Sequence, residues 1–499
     1  MCQTKDRHQR FFNKQNHWSL VLGHWSLTKV IMQNKPKRVL LITYSFPPTG
    51  NVGVLRPTKF CKYLPEFDWK VSVLTVSNPS VPLQDESLCA EIPEETVVRY
   101  AKTLEPDYAL KKAVSGTQEQ TVQKKPSLIK RAVKGALRWV SNLVLQPDAQ
   151  ILWHRNAVRV GMELLNEIPH DAIVVSAPPF SSFLIGAALS RQSGLPLILD
   201  YRDEWDISNA YWENKGHGLL SRKLQARMQR RVARAASVLL ATTQHSADAL
   251  AQVVATAHST ARVSHIYNGY DAHDFKKIEV EDPAENERYR LAYVGTLWNL
   301  TYVEPLVAAV EKLAAESPNL AEQLEVVFAG RRTGPQEEIL NRLDGLPVRV
   351  IKEGYLDHDG AIQLMHSANG LLAFLSDVPH AGRVVPSKIF EYMATRRTIF
   401  SVAPEGEVST ILRDCPMARI HTPSDINGIA SSLALEIERF SMGVTFPPEY
   451  GLWDPAQYER KNLTGQLAGW LDEISGLSRN TESDEKSGNW KPEILRQQQ

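Results

Sequence analysis

The chain has 499 residues with a formal net charge of +1, 43% hydrophobic and 23% charged, the composition of an ordinary globular protein of two or three domains. Near-neutrality argues against a general nucleic-acid binder. The four scattered cysteines, Cys2, Cys61, Cys89 and Cys415, suggest neither a disulfide scaffold nor a CxxC metal site and fit a reducing compartment. No apolar run approaches the ~18 residues needed to span a bilayer.

Residues 1–35 are polar and basic around WSLVLGHWSL, a patch too short and interrupted for a signal peptide. Met32 stands just ahead of the first good strand, so 1–35 is expected to be a disordered or spurious extension. RVLLITY, Arg38 to Tyr44, is an almost continuous apolar run, suited to a parallel strand covered on both faces. A Gly-containing loop, the helix LRPTKFCKYLPEF and the strand KVSVLTV follow, as in the βα unit that opens many α/β domains. Further strands are expected at DAIVVSA, LPLILDY, ASVLLATT and RVSHIYN, with helices at SSFLIGAALSRQ and SRKLQARMQRRVARAA.

The polar stretch 279–290 reads as a linker, after which the α/β rhythm restarts. Strands are expected at RLAYVGTL, LEVVFAG, VRVIKEGYL, GLLAFLS and TIFSVAP, with helices at EPLVAAVEKLAAES, EEILNRLDGL, AIQLMHSAN and KIFEYMATR. This predicts two doubly wound domains, 36–278 and 291–450, facing one another across a cleft lined by strand ends. A last amphipathic helix closes at about 475, and the polar tail 476–499 is expected to be disordered.

VPSKIFEYMA, Val385 to Ala394, carries the clearest chemistry. Pro386 stops what precedes it, and Ser387 can cap a new helix. Lys388 falls in the first turn, where the helix dipole disfavours a cation unless an anion is bound. Glu391, one turn beyond Ser387, can accept hydrogen bonds from a diol. An ordinary amphipathic helix with a surface lysine would read the same way. In PPTGNVGVLRP, Gly50 and Gly53 allow close backbone approach, in a site or simply in a tight turn. Ser181 or Ser182 of SAPPFSS can cap the helix that follows it. DYRDEW is denser in charge than a strand end needs: Arg202 can hold a phosphate or carboxylate bidentately, or join Asp203 in a structural network. The DxD spelling at Asp357 and Asp359 fits a helix cap better than a metal site.

Taken in order, ITYSFPPTGNVGVLRPTKFCKYL, VVSAPPFSSFLIG, LILDYRDEW, HIYNGYD, YVGTL, FAGRR, EGYLDH and VPSKIFEYMATRRTIFSVAPEGE resemble the family-4-like glycosyltransferases over about residues 36–475. The resemblance implies the GT-B architecture of two Rossmann-like domains. It also implies retaining transfer from a nucleotide-sugar co-substrate, with no other cofactor and no protein-bound metal. It places Gly50, Gly53, Gly295, Thr296, Arg331, Gly354, Tyr355, Ser387, Lys388 and Glu391 on the donor nucleotide, with Glu391 on the ribose and Lys388 on the phosphates. Arg202, Asp203 and Lys388 become the catalytic candidates, and Arg56 the candidate for an anionic group on the acceptor side. The chain departs from the family's pattern at Arg202, where many relatives have histidine. It departs at Thr296, where an arginine–lysine pair is usual, and at Arg383, where the first of two glutamates would fall.

KKPSLIKRAVKGALRWVSNLVL, Lys124 to Leu145, sets an apolar stripe against Lys124, Lys125, Lys130, Arg131, Lys134 and Arg138. It suits the anionic interface of a bilayer or an amphipathic helix packed on the core. The expectation is a cytoplasmic enzyme, peripheral to the membrane at most. It would build a polysaccharide or lipid-linked glycan from a nucleotide-sugar donor, without nucleic-acid contact. A nucleotide-sugar epimerase on the same fold and a non-catalytic paralogue in a glycan-assembly complex are the alternatives.

Overall fold

The structure, a computed structural model, describes residues 37–50, 52–81, 84–106, 145–205, 218–276, 282–444 and 453–476. The expectations for 1–35, for all but the last residue of 124–145, for the start of the 279–290 linker and for nearly all of the 476–499 tail lie outside these residues.

The first sheet has seven parallel strands in the order β3-β2-β1-β4-β5-β6-β7. They are β1 (Lys37–Thr43), β2 (Trp69–Val76), β3 (Val97–Ala101), β4 (Ala172–Ala177), β5 (Leu197–Tyr201), β6 (Val238–Ala241) and β7 (Arg262–His265). The central strands are buried throughout, which is why they read as unbroken apolar runs. The helices between them are α1 (Leu55–Tyr63), α2 (His154–Glu167), α3 (Ser181–Ser193), α4 (Leu219–Ala235) and α5 (Gln244–Ala257), followed by the short α6 (Ala272–Lys276). One face of the sheet packs Leu40, Ile42, Val175 and Leu199 against α2 to α5. The other packs Val39, Leu41 and Val174 against α1 and the last helix of the chain.

The second sheet has six parallel strands in the order β10-β9-β8-β11-β12-β13. These are β8 (Tyr289–Val294), β9 (Leu324–Ala329), β10 (Arg349–Glu353), β11 (Gly370–Phe374), β12 (Thr398–Val402) and β13 (Ala418–His421). The accompanying helices are α7 (Glu304–Glu316), α8 (Pro318–Ala321), α9 (Gly334–Leu340), α10 (His358–Ser367), α11 (Lys388–Thr395), α12 (Glu407–Leu412) and α13 (Ile426–Ser441). The final helix, α14 (Arg460–Ile474), leaves the second sheet and packs on the first. Asp472 there accepts from Lys37 Nζ (2.5 Å) and from Trp69 Nε1 (2.9 Å).

Each sheet reverses its winding between two neighbours, β1/β4 in the first and β8/β11 in the second. In open parallel sheets the crevice outside such a reversal is where ligands bind. The loops after β8 and β11 lie against one another there: Ser376 donates to Leu300 O (3.0 Å) and Asn299 O (2.7 Å).

Candidate functional site

At the β8/β11 reversal three glycines bring strand ends together. The Gly295 amide donates to Ala329 O and the Gly330 amide to Gly354 O, each at 2.8 Å. Gly295 has φ +137° and Gly330 φ +121°, conformations that favour glycine. A Cβ on Gly330 would lie 2.4 Å from Gly295 O, so β8 and β9 could not approach this closely with side chains there. The result is a shelf of bare backbone beside the first turn of α11.

Lys388 leans over that shelf. Its Nζ stands 3.9 Å from the centroid of the Tyr293 ring, and a Cβ on Gly295 would come within 2.5 Å of it. Tyr293 is 1% exposed and donates its hydroxyl to Thr296 O (2.9 Å), so the ring is a fixed platform. Lys388 has no carboxylate partner among the described residues, and it sits at the start of a helix, where a cation lacks dipole support. Expected as a cap, Ser387 makes no side-chain cap bond, so the start of α11 has no capping acceptor of its own.

Glu391, one turn further on, has no hydrogen-bonding partner among the described residues. Burial pushes its carboxyl above the usual range, while His358, Arg460 and Lys388 oppose the shift. Of the FAGRR arginines, Arg332 is consumed by structure: it donates to Phe328 O, Gly330 O and Glu353 O and pairs with Glu337 at 2.8 Å. Arg331 is exposed beside the shelf and lacks such ties. Thr296 is exposed, and its carbonyl also accepts from Thr301 Oγ1 (2.8 Å). Gly354 is open, and Tyr355, 78% exposed, presents an aromatic ring to solvent. Asp357 caps α10 through the Gly360 amide (2.8 Å), the cap reading of the DxD spelling.

On the facing domain the residues divide differently. A Cβ on Gly50 would lie 3.2 Å from Asp85 Cβ, so this glycine serves the packing of its loop on 84–85. Gly53 lies in the 3-10 turn Val52–Val54. Arg56 is 2% exposed; it grips Asp200 at 2.8 Å and donates to Tyr267 O at 2.9 Å. Ser176 Oγ holds the same carboxylate at 2.8 Å. The expectation of an anion at Arg56 therefore meets a guanidinium already engaged inside the domain. Arg202 donates from Nη2 to Pro178 O (2.5 Å), and its Nε has no partner. Burial lowers the Arg202 pKa and raises that of Asp203. The two form no direct ion pair, and Asp203 has no hydrogen-bonding partner among the described residues. Trp205 belongs to the core, stacked on Phe180 at 4.7 Å. Neither Ser181 nor Ser182 caps α3; the Ser181 amide is instead held by Asp148 at 3.0 Å.

Arg383, which the sequence marked only as a departure from the family's pattern, and several residues that it did not single out join the two domains. Arg383 Nη1 pairs with Glu204 Oε2 at 3.0 Å, and the Arg383 carbonyl accepts from Thr243 Oγ1 at 2.8 Å. Glu407, 1% exposed, accepts from the Gln244 and His245 amides at the start of α5 and from the Tyr267 hydroxyl at 2.6 Å. His358 meets Asp274 at 3.3 Å, and Asp274 raises its pKa. Arg460, at the first position of α14, is 7% exposed; burial, with Arg56 nearby, lowers its pKa to about 10. A cavity of about 710 Å³ opens beside the Arg383–Glu204 pair, with His245, Asp248, His380 and Glu405 on its walls.

Glu91, Asp271 and Asp274 come close enough to hold a metal ion. The Lys59 ammonium already lies among them, bonded to Glu91, to Asp271 at 2.6 Å and to Asp274 at 3.1 Å, so a second cation does not fit that cluster.

Residues 112–269 match the model of the glycosyl transferase 4-like domain. No curated protein matches the chain. Among solved structures, Anabaena Alr3699/HepE in complex with UDP-glucose is similar at TM-score 0.54 and 16% identity, over 87% of this chain and 99% of that one. The sucrose-phosphate synthase of Thermosynechococcus elongatus is similar at TM-score 0.56 and 14% identity, over 89% and 100%. WaaG, a glycosyltransferase involved in lipopolysaccharide biosynthesis, is similar at TM-score 0.51 and 13% identity, over 88% and 100%. At such identities the likeness is one of fold, and the fold is GT-B.

Proposed function

We propose that this GT-B glycosyltransferase moves a sugar from a nucleotide-sugar donor to a glycan or lipid-linked acceptor in the synthesis of a cell-surface polysaccharide. The observation that carries the reading is Lys388, a cation without a carboxylate partner among the described residues, held over a bare glycine shelf at the point where the second sheet reverses. The Anabaena structures hold UDP or UDP-glucose, which makes uridine diphosphate sugars the first donors to try.

The donor diphosphate would lie along Gly295 and the start of α11, with Lys388 and Arg331 neutralising it. Glu391 would accept from the ribose hydroxyls, and Tyr355 offers a face on which a base can stack. As the sugar–phosphate bond breaks, Lys388 stabilises the charge growing on the leaving diphosphate. The positive charge needed by the leaving group is thus supplied by protein, and the reaction is proposed to be metal-independent. The acceptor would enter from the first domain, past Arg202 and Asp203 and by way of the polar cavity beside Glu204. Retention of configuration follows if the acceptor hydroxyl attacks the face the diphosphate vacates, with a leaving phosphate oxygen taking its proton. Asp203, whose raised pKa favours proton uptake, is the side chain nearest in kind to a relay. No described helix is long and apolar enough to cross a membrane. The proposed setting is the cytoplasm, on the membrane surface where lipid-linked acceptors lie.

The test is a panel of nucleotide sugars offered to the full chain, read as binding and as slow hydrolysis. Failure of all of them would overturn the proposal, whereas an epimerised donor formed without acceptor would point to the epimerase alternative. The Arg383–Glu204 pair, standing where the resembling family carries its first glutamate, favours a second reading as a non-catalytic partner. Donor binding without hydrolysis or transfer would support it.

A further inference from the structure

Helix α4, LLSRKLQARMQRRVARA, has no acidic residue and carries Arg222, Lys223, Arg227, Arg230, Arg231 and Arg234. None of the six has a carboxylate partner among the described residues. Arg234 donates to Ala257 O (2.7 Å), a neutral acceptor. The adjoining helices do not neutralise them: α3 adds Arg191, and α5 offers Asp248 alone, which accepts from Gln244 at 2.7 Å.

The orientation of the helix is fixed from beneath. Ser221, Gln225, Gln229, Val232 and Ala233 are buried. Gln225 is held by Gln146 at 2.7 Å and receives Trp205 Nε1 at 3.2 Å. The opposite stripe is therefore presented outward: Lys223, Arg227, Arg231 and Arg234, each about one turn apart, are all exposed. At its start stand Leu219 and Leu220, 71% and 60% exposed. In a chain of net charge +1, such a concentration of like charge on one face must be balanced elsewhere.

We infer that the outer face of α4 docks on an anionic phospholipid bilayer. A row of cations attracts the headgroup layer, and two leucines at one end of the row can enter the boundary with the acyl chains. A nucleic acid would use the cations and leave the leucines without purpose. The docking surface is independent of the donor site, so it stands or falls apart from the proposed transfer reaction.

The experiment is co-sedimentation of the full chain with vesicles of phosphatidylcholine alone and of phosphatidylcholine with phosphatidylglycerol. Binding is expected only to the anionic vesicles and is expected to weaken as salt rises. Arg227→Glu with Arg231→Glu should lower the bound fraction by more than about tenfold. Leu219→Ser with Leu220→Ser should lower it several-fold, with an unchanged melting temperature and an unchanged rate of donor hydrolysis. Failure to bind anionic vesicles would overturn the inference. So would binding that survives the α4 reversals and disappears on reversal of Lys130, Arg131 and Lys134, because the bilayer contact would then belong to that segment. Equal binding to a nucleic-acid duplex, lost in the same α4 variants and insensitive to the leucine changes, would overturn it in favour of a polyanion.

Discussion

Arg383 and Glu204 meet across the interdomain cleft at 3.0 Å, so the position where the resembling family carries its first glutamate holds a cation tied to the opposite domain. The carboxylate that pairs with it comes from the first domain, from the strand end that also carries Arg202 and Asp203. Arg383→Glu should set two carboxylates against each other and open the cleft, lowering transfer by roughly 10-fold or more. The exchange Arg383→Glu with Glu204→Arg should recover part of that loss. The pair is partly exposed, so its direct effect on the melting curve should be small, about 0.5–1 kcal/mol. Initial rates and melting curves for the single and double variants check both statements.

Lys388→Ala should weaken UDP binding by roughly 10- to 100-fold, the loss expected when a charge-assisted contact of about 1.5–3 kcal/mol is removed. Gly295→Ala should act in the same direction, because the added methyl would come within 2.5 Å of the Lys388 ammonium and displace it, and the residue must hold φ +137°. Isothermal titration of UDP against both variants measures the effect. Unchanged affinity in Lys388→Ala would remove the basis of the proposed donor site.

Arg56 behaves as a structural cation. Replacing it with methionine leaves the Asp200 carboxylate buried and unpaired, at a cost of about 3–5 kcal/mol. Chemical denaturation should show that loss, while UDP affinity in the folded fraction stays within about twofold. A large, selective fall in acceptor use with normal stability would instead restore the acceptor-side role expected from sequence.

The His358–Asp274 contact should make the interdomain joint sensitive to pH. Asp274 raises the His358 pKa and is itself held below the usual carboxylate range with help from His358. A histidine whose pKa is raised by folding contributes fully below its ordinary value of about 6.5, and the contribution is lost as pH rises through the raised value. The depressed Asp274 contributes above the ordinary carboxylate range and loses its contribution as acid is added. The melting-temperature difference between wild type and His358→Gln should therefore be largest in mildly acidic solution. It should shrink toward alkaline pH; a difference independent of pH would contradict the coupling.

The fold was legible wherever a strand lies inside a sheet. β1, β4, β5, β9 and β11 are apolar because both faces are covered, and their sequences announce it. β3 and β13 lie at sheet edges, are half open to solvent and carry Arg99 and Arg419, so no apolar run marks them. Helix α2 was missed for a related reason: its sequence HRNAVRVGMELLNE shows a narrow apolar stripe under a dense charged face. In the site, Lys388, Gly295 and Gly354 were readable because each is local to a strand end or helix start. Arg460, Glu204 and Glu407 act across long stretches of chain, and nothing in their immediate neighbours shows what they reach. Arg56 misled because a buried guanidinium and a ligand-binding one share a spelling, and only Asp200, far along the chain, separates them.

The return of α14 to the first domain has a topological consequence. Leu463, Leu467 and Leu471 complete the face of the first sheet that α1 only partly covers, so that core is assembled from both ends of the described residues. The second domain is thereby spliced into the first and tethered at two points. A fragment ending near residue 444 would lack part of its first core, although every strand of that sheet is present. Supplied in trans as a peptide, residues 453–476 should reassociate with it by strand-free complementation, and the two lobes should not be separable by cutting the chain once between them.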